Sequence, residues 1–322
     1  MRESLLRLRQ AVIKKYTLTE YIVVPLLRFI INFALIHMLE STVGYDGLFS
    51  NIFIMLGLSL IGVFLSYRGT LIMAIFLSTV FVLGADPVTG IALFILLVVT
   101  YMLFGTAFPE ESIFIIVTLV ALKYNVVMLL PIVCGIFAPY MSIAAMVIGI
   151  LLYNFIPTIK GSIPEVIGNF KDTQNIMSSL AEFEIAKTLL KPEIVSMIIV
   201  TFMAFTTVYI VRRARTDYAP YIAIAAGGII NIFGYILSMI IFDSYDIKLI
   251  VSVIILTLLG VLIGCIIQFF SVVLDYQRAE KVKFEDEDNV YYVKIVPKVE
   301  VKAKQALEEK IYDVSSVKDI NF

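Results

Sequence analysis

The apolar positions of this chain form long runs that short polar stretches interrupt. Runs of about 17–25 apolar residues match the hydrocarbon thickness of a lipid bilayer, and a soluble core needs no such lengths. The pattern therefore predicts an all-α, polytopic membrane protein with about eight transmembrane helices and a re-entrant hairpin. The predicted spans are residues 20–39, 50–65, 70–84, 90–108, 140–159, 194–211, 219–242 and 249–274.

Residues 113–138 are apolar but do not fit a single span. Lys123, Tyr124 and Asn125 interrupt them and leave two arms, of about ten and thirteen residues, that are too short to cross a bilayer. One interpretation is a re-entrant hairpin with these three residues at its tip or lining a pore. The other is a kinked span from which Lys123 reaches the interface. The sequence favours the hairpin.

The distribution of positive charge orients the spans, because cytoplasmic loops carry an excess of Lys and Arg. Residues 1–19 hold five Lys or Arg and one Glu, so the N-terminus is expected in the cytoplasm. A full span at 113–138 would place Arg212, Arg213 and Arg215 outside, whereas a hairpin returns them to the cytoplasm. The four lysines of residues 160–193 count against this arrangement. The preferred topology is a multi-pass cell-membrane protein with both termini cytoplasmic.

These assignments divide the chain into five parts. They are a cytoplasmic amphipathic basic helix at 1–19, transmembrane helices 1–5 with the hairpin at 20–159, an extracytoplasmic amphipathic segment at 160–193, transmembrane helices 6–8 at 194–274, and a cytoplasmic tail at 275–322. In the tail, an acidic cluster precedes a β-branched and aromatic run that Pro297 closes, which is typical of a strand.

A lone strand is unstable, so this strand is expected to pair with a partner's sheet edge or with a copy of itself. The alternative is a disordered tail that is extended only transiently, and residues 299–322 are predicted to be disordered. The candidate partner-binding residues are Phe284, Glu285, Asp286, Tyr291, Tyr292, Val293, Lys294 and Pro297.

Composition narrows the possible functions. Of 322 residues, 60% are hydrophobic and 16% charged, and the net charge of −1 gives no reason to expect a nucleic-acid partner. Arg28 is the charge inside the first span, where it must pair, face protein or reach the interface. A structural role is favoured for it over a role in binding a substrate.

The sequence contains none of the common catalytic signatures. It has one histidine and no HExxH, Walker A or GxSxG motif, so no catalytic, cofactor-binding or metal-binding residue is predicted, and the protein is not expected to be an enzyme. Cys134 and Cys265 lie in apolar runs and are interpreted as packing residues. Spans 2 to 8 have almost no Asp, Glu or His, which disfavours proton-coupled transport.

Two segments resemble a known family. Residues 275–298, and the motif VRRxxxDYA at residues 211–219, are similar to segments of the uncharacterised polytopic membrane proteins of Firmicutes, especially clostridia. This chain departs from the family at Asn289 and Val290, where more tyrosine is usual, and at Ile295, where alanine is usual. Members are sometimes labelled ABC transporter permeases. The resemblance implies a Gram-positive cell-membrane setting and supplies no site residues.

Two functions are therefore expected. The first is a non-enzymatic membrane subunit that anchors or scaffolds a larger cell-envelope or export assembly. The alternative is a permease-like translocation subunit of a transporter. The expected partners are the lipid bilayer and either other membrane or cytoplasmic proteins or further copies of the chain.

Overall fold

The structure, a computed structural model, is dominated by helices. It describes residues 2–43, 51–85, 87–154, 191–214, 216, 218–242, 247–271, 280–285 and 290–295. The helices of these residues are α1 (Arg2–Val43), α2 (Ile52–Phe64), α3 (Tyr67–Ala85), α4 (Pro87–Thr100, continued by a π turn at Tyr101–Gly105), α5 (Ile113–Lys123), a 3-10 turn (Val127–Leu129), α6 (Leu130–Phe137), α7 (Ser142–Asn154), α8 (Pro192–Val211), α9 (Ala219–Ile241) and α10 (Ile247–Ser271).

Four helices of the described residues are long and apolar enough to cross a membrane. They are Leu18–Thr42 within α1, and α8, α9 and α10. The last three begin and end within three residues of the predicted spans 6, 7 and 8. Predicted span 1 lies within Leu18–Thr42, and predicted spans 2 to 5 correspond to shorter apolar helices. The chain is therefore helical, with four helices suited to a bilayer.

The N-terminal helix differs from its prediction. A boundary was expected between residues 19 and 20, but α1 is continuous over 42 residues, about 63 Å and roughly twice a hydrocarbon core. The Thr19 hydroxyl donates to the Lys15 carbonyl at 2.9 Å. It therefore bonds back into the same helix instead of capping a new one. Polar residues alone do not end a helix when no Gly or Pro accompanies them.

The chain divides into two compact units. One comprises Met1–Glu20 with Phe269–Phe322, and the other comprises Tyr21–Gln268. The larger unit contains the rest of α1, all of α2 to α9 and most of α10. Its largest core cluster joins buried residues of α1 to α5 and α7, including Leu35, Phe81 and Ile115.

The predicted tail strand is present, but its pairing differs from the expectation. Strand β2 (Val290–Ile295) pairs antiparallel with β1 (Glu280–Glu285) of the same chain, with Glu280 opposite Ile295 and Glu285 opposite Val290. The sheet is therefore formed within one chain, whereas pairing with another chain was expected. The sequence pattern did not predict β1, because charged residues surround its two apolar positions, Val282 and Phe284.

Several predicted features lie outside the described residues. They are the segment 160–190, Asp286, Pro297 and the region 299–322.

Candidate functional site

The polar interruption at residues 123–125 is a helix end with a defined geometry. Asn125 adopts a left-handed conformation with φ 57°. The Val126 amide donates to the Ala121 carbonyl at 2.8 Å, and the Asn125 amide donates to the Leu122 carbonyl at 3.1 Å. This pair of bonds is the Schellman motif, which ends a helix and satisfies its last carbonyls. Asn is the residue that tolerates this conformation best after Gly, so the sequence itself stops α5 at Lys123.

The chain then turns back on itself. After the 3-10 turn it enters α6, whose first turn contains Pro131. The ring of Phe114, in the first turn of α5, lies 6.5 Å from the ring of Phe137, the last residue of α6. Because the outer ends of both arms meet, residues 113–138 form a helical hairpin. An unbroken or merely kinked helix would separate these two rings by the whole length of both arms.

The two arms of the hairpin both contact α7 and α8, and they differ in their other neighbours. In α5, Ile115 and Ile116 join the core of α1 to α4 and α7. In α6, Ile132 and Ile136 join a cluster with residues of α8 and α9. The hairpin is thus shared between an N-terminal group of helices and a C-terminal group.

Asn231 of α9 anchors the inner part of the hairpin. Its side-chain nitrogen donates to the Met128 carbonyl at 3.0 Å and to the Thr257 hydroxyl of α10 at 3.0 Å. Asn231 is 0% exposed. It is the thirteenth of the 23 residues of α9, so it lies about 18 Å from the helix start. Met128 belongs to the 3-10 turn, which lies between α5 and α6. The bond from Asn231 therefore holds irregular backbone beside the middle of a long apolar helix.

Three buried oxygens lie near this anchor. Asn231 Oδ1 has no hydrogen-bond partner among the described residues, whereas the Tyr235 and Thr201 hydroxyls interact with each other. Tyr235 lies one turn from Asn231 on α9 and faces Thr201 of α8. Leaving a group such as Asn231 Oδ1 unpaired in an apolar interior costs about 1–3 kcal/mol. Asn231, Thr201 and Tyr235 therefore form a small buried polar group between α8 and α9.

Glycines bring the hairpin close to its neighbours. A Cβ atom on Gly135 of α6 would lie 2.8 Å from Val208 Cβ of α8, and one on Gly264 of α10 would lie 2.9 Å from Ile136 Cδ1. A Cβ atom on Gly260 would meet Leu129 at 3.2 Å. Gly260 and Gly264 of α10 thus pack against the hairpin itself.

The three predicted tip residues lie together at the turn. Lys123 ends α5, where its charge complements the helix dipole, and Tyr124 is 47% exposed. The apolar residues beside the tip, Ala121 and Leu122, belong to a cluster with Ile150 of α7 and Ile194 of α8. The tip therefore lies toward the end of the larger unit where α8 begins.

The opposite end of α8 meets the base of the hairpin. Arg212 Nη2 donates to the Ala138 carbonyl at 3.0 Å and so caps the end of α6. Both the ring pair at the base and this cap place the entry and exit of the hairpin at the arginine-bearing end of α8. The side of the membrane on which Arg212, Arg213 and the hairpin base lie stays a prediction.

Arg28 contacts a backbone carbonyl and an aromatic ring near the start of α3. Its Nη1 donates to the Leu65 carbonyl at 3.3 Å, and its guanidinium carbon lies 5.5 Å from the centre of the Tyr67 ring. Leu65 is the C-cap residue of α2. Arg28 therefore ties α1 to the turn between α2 and α3.

The register of the tail hairpin places several candidate partner residues opposite β1. Phe284 faces Tyr291, Val282 faces Val293, and Lys281 faces Lys294.

Sequence reasoning did not single out Asn231, Thr257 or Arg212 as partners of the hairpin. The available signal was an Asn and a Thr near the middle of two adjacent apolar runs, which were interpreted as general packing residues. Within the described ranges, no three His, Cys, Asp or Glu side chains are grouped so as to hold a metal ion.

Comparisons with protein-family models, curated proteins and solved structures found no match for this chain. The resemblance of residues 211–219 and 275–298 to the clostridial membrane proteins stays a prediction.

Proposed function

We propose that the protein is a permease-like translocation subunit of the cell membrane, with eight spans, cytoplasmic termini and the hairpin 113–138 as its re-entrant element. The observation that carries the proposal is the geometry of this hairpin. Its ends meet at the Arg212 end of α8, and its 3-10 turn lies beside Asn231.

Non-helical backbone at membrane depth is tolerated only where protein or a water-filled cavity covers it. Transporters place such broken elements at their binding sites, between repeated or paired helix groups. Here the hairpin is shared between two helix groups, and buried oxygens of Asn231, Tyr235 and Thr201 lie beside it. Those oxygens are neutral, which suits a polar or weakly charged solute better than a proton relay.

Site-specific cysteine labelling tests this arrangement. Cys134 and Cys265 are first replaced by alanine, and single cysteines are introduced at exposed positions Glu110 and Met141, on either side of the hairpin, and at Tyr124. We expect a membrane-impermeant thiol reagent to reach Glu110→Cys and Met141→Cys from the same face. Tyr124→Cys should react from the opposite face, through a water-accessible path.

Labelling of Glu110→Cys and Met141→Cys from opposite faces would mean that residues 113–138 span the membrane once, which removes the hairpin topology. If Tyr124→Cys were shielded from both faces, the translocation function would lose its main support while the hairpin itself would stand. Gly57→Cys serves as a lipid-side control, since a side chain there meets nothing within 4 Å.

The second candidate function is the scaffold. The tail hairpin favours it, because β1 and β2 pair only with each other among the described residues and each keeps an outer edge. Such edges can add a strand from another protein. Mild-detergent purification followed by mass spectrometry should recover partners that are lost when residues 280–298 are deleted. Recovery of every partner after the deletion would contradict this role for the tail.

A further inference from the structure

Two arginines and two tyrosines meet at the base of the intramembrane hairpin. The guanidinium carbon of Arg213 lies 4.1 Å from the centre of the Tyr209 ring, and that of Arg212 lies 4.9 Å from it. The Tyr140 ring centre lies 5.1 Å from that of Tyr209. We call Tyr140, Tyr209, Arg212 and Arg213 the arginine–tyrosine cluster.

The cluster carries positive charge that its described surroundings do not neutralise. Burial lowers the pKa of Arg212, and the neighbouring Arg213 charge lowers it further, but guanidinium groups stay protonated at neutral pH. Within the part of the chain that the structure describes, neither arginine lies within ion-pair distance of a carboxylate. An anion placed at the cluster would therefore be stabilised by two charges.

The surface beside the cluster is apolar and open. Phe137, at the end of α6, is 56% exposed, and Ile210, one turn before Arg213 on α8, is 62% exposed. Basic groups and tyrosines next to exposed apolar residues at a helix end are typical of the level of lipid headgroups. A free anion would contact only the charges, whereas a lipid would also cover these apolar side chains.

We propose that the arginine–tyrosine cluster binds the phosphate of an anionic phospholipid whose acyl chains lie along Phe137 and Ile210. Arg212 also donates to the Ala138 carbonyl, and a guanidinium has enough N–H groups to do both. The bound headgroup therefore acts on the residue that caps α6, which links the lipid to the position of the hairpin. This inference rests on the proposed membrane topology but not on translocation.

The test is lipid retention by the full chain. The protein is reconstituted in phosphatidylcholine nanodiscs containing a minor fraction of phosphatidylglycerol, then extracted in mild detergent, and the retained lipids are measured by native mass spectrometry. Arg213→Gln should lower retained phosphatidylglycerol about fivefold and leave phosphatidylcholine unchanged. The matched control is Arg68→Gln, which removes the same charge from an exposed site in the first turn of α3.

Three results would overturn the inference. They are unchanged phosphatidylglycerol retention in Arg213→Gln, an equal fall in Arg68→Gln, and displacement of the lipid by excess inorganic phosphate, which would reveal a site for a free anion. Thermal unfolding of Arg213→Gln in detergent should match the parent, since this side chain is exposed. If that variant were nevertheless unstable, the same measurement is made on Ile210→Ser. This substitution should reduce lipid retention without altering the charges of Arg212 and Arg213.

Discussion

The protein contains two hairpins that are held in opposite ways. The helical hairpin of α5 and α6 is fixed by residues far away in the chain: Asn231 is 103 residues from Met128, and Arg212 is 74 residues from Ala138. The tail hairpin is fixed by its own neighbours, since β1 and β2 follow each other directly. The first therefore depends on the assembly of α8, α9 and α10.

We therefore expect the helical hairpin to matter for the stability of the bundle and the tail hairpin to matter for binding other proteins. Damage to the contacts of the helical hairpin should loosen the whole bundle, because glycines and a buried Asn join it to three helices. Damage to the tail hairpin should leave the bundle intact and change only what binds to it. The predictions below test this contrast.

The largest effect is expected from Gly135→Leu. A Cβ atom at this position would lie 2.8 Å from Val208 Cβ and 3.4 Å from the Phe205 carbonyl oxygen, so α6 must move away from α8. Overpacking of this kind lowers the free energy of unfolding by about 3 kcal/mol. The midpoint of thermal unfolding in detergent should fall clearly. Gly57→Leu is the control, since a Cβ there meets nothing within 4 Å, and equal shifts for the two variants would contradict the close packing of α6.

A smaller effect is expected from Asn231→Leu. The substitution removes two hydrogen bonds and leaves the Met128 carbonyl without this donor in an apolar interior. We expect a loss of about 2 kcal/mol, measured by the same unfolding assay. Thr257→Val removes only the bond between the two side chains and should cost about 0.6 kcal/mol. If Thr257→Val were the more damaging variant, Asn231 would not be the anchor of the hairpin turn.

Asn125 offers a test of the turn itself. A β-branched residue is disfavoured at φ 57°, so Asn125→Val should destabilise the hairpin by about 1 kcal/mol. Asn125→Gly should be neutral or slightly stabilising, because Gly adopts this conformation readily. Trypsin cleavage after Lys123 should be faster in the Val variant than in the Gly variant. The opposite order would mean that Asn125 matters for its side chain and not for its backbone.

The helix bounds and turns that depend on a few consecutive residues could be predicted from the sequence. The bounds of α8, α9 and α10 could be predicted because long apolar runs end at polar flanks, with Pro192 and Pro220 in the first turns of α8 and α9. The turn after Lys123 could be predicted because the polar residues interrupt an apolar run. Both are features of a few consecutive residues.

The partners of these elements could not be predicted in the same way. The bonds from Asn231 and Arg212 depend on which helices become neighbours, and a single sequence does not contain that information. The length of α1 was missed because the basic residues 1–19 and the apolar run after them were interpreted as separate elements, although Thr19 bonds back into one continuous helix. Strand β1 was missed because Val282 and Phe284 are too few to show an alternation.

Substitutions in the tail are expected to have the smallest effect on stability and the clearest effect on the binding of a partner protein. Successive amide groups of an antiparallel strand point alternately toward the partner strand and away from it, so Tyr292→Pro and Val293→Pro must differ. One of them breaks the pairing with β1, and the other only blocks the outer edge of β2. Neither should shift the unfolding midpoint of the helical bundle. If another protein adds a strand to β2, the substitution that blocks the edge should abolish its recovery in mild-detergent purification, even though hydrogen exchange shows that β1 and β2 stay paired. Full recovery of partners with both variants would mean that the tail hairpin is not where they bind, and the scaffold function would then lose its structural basis.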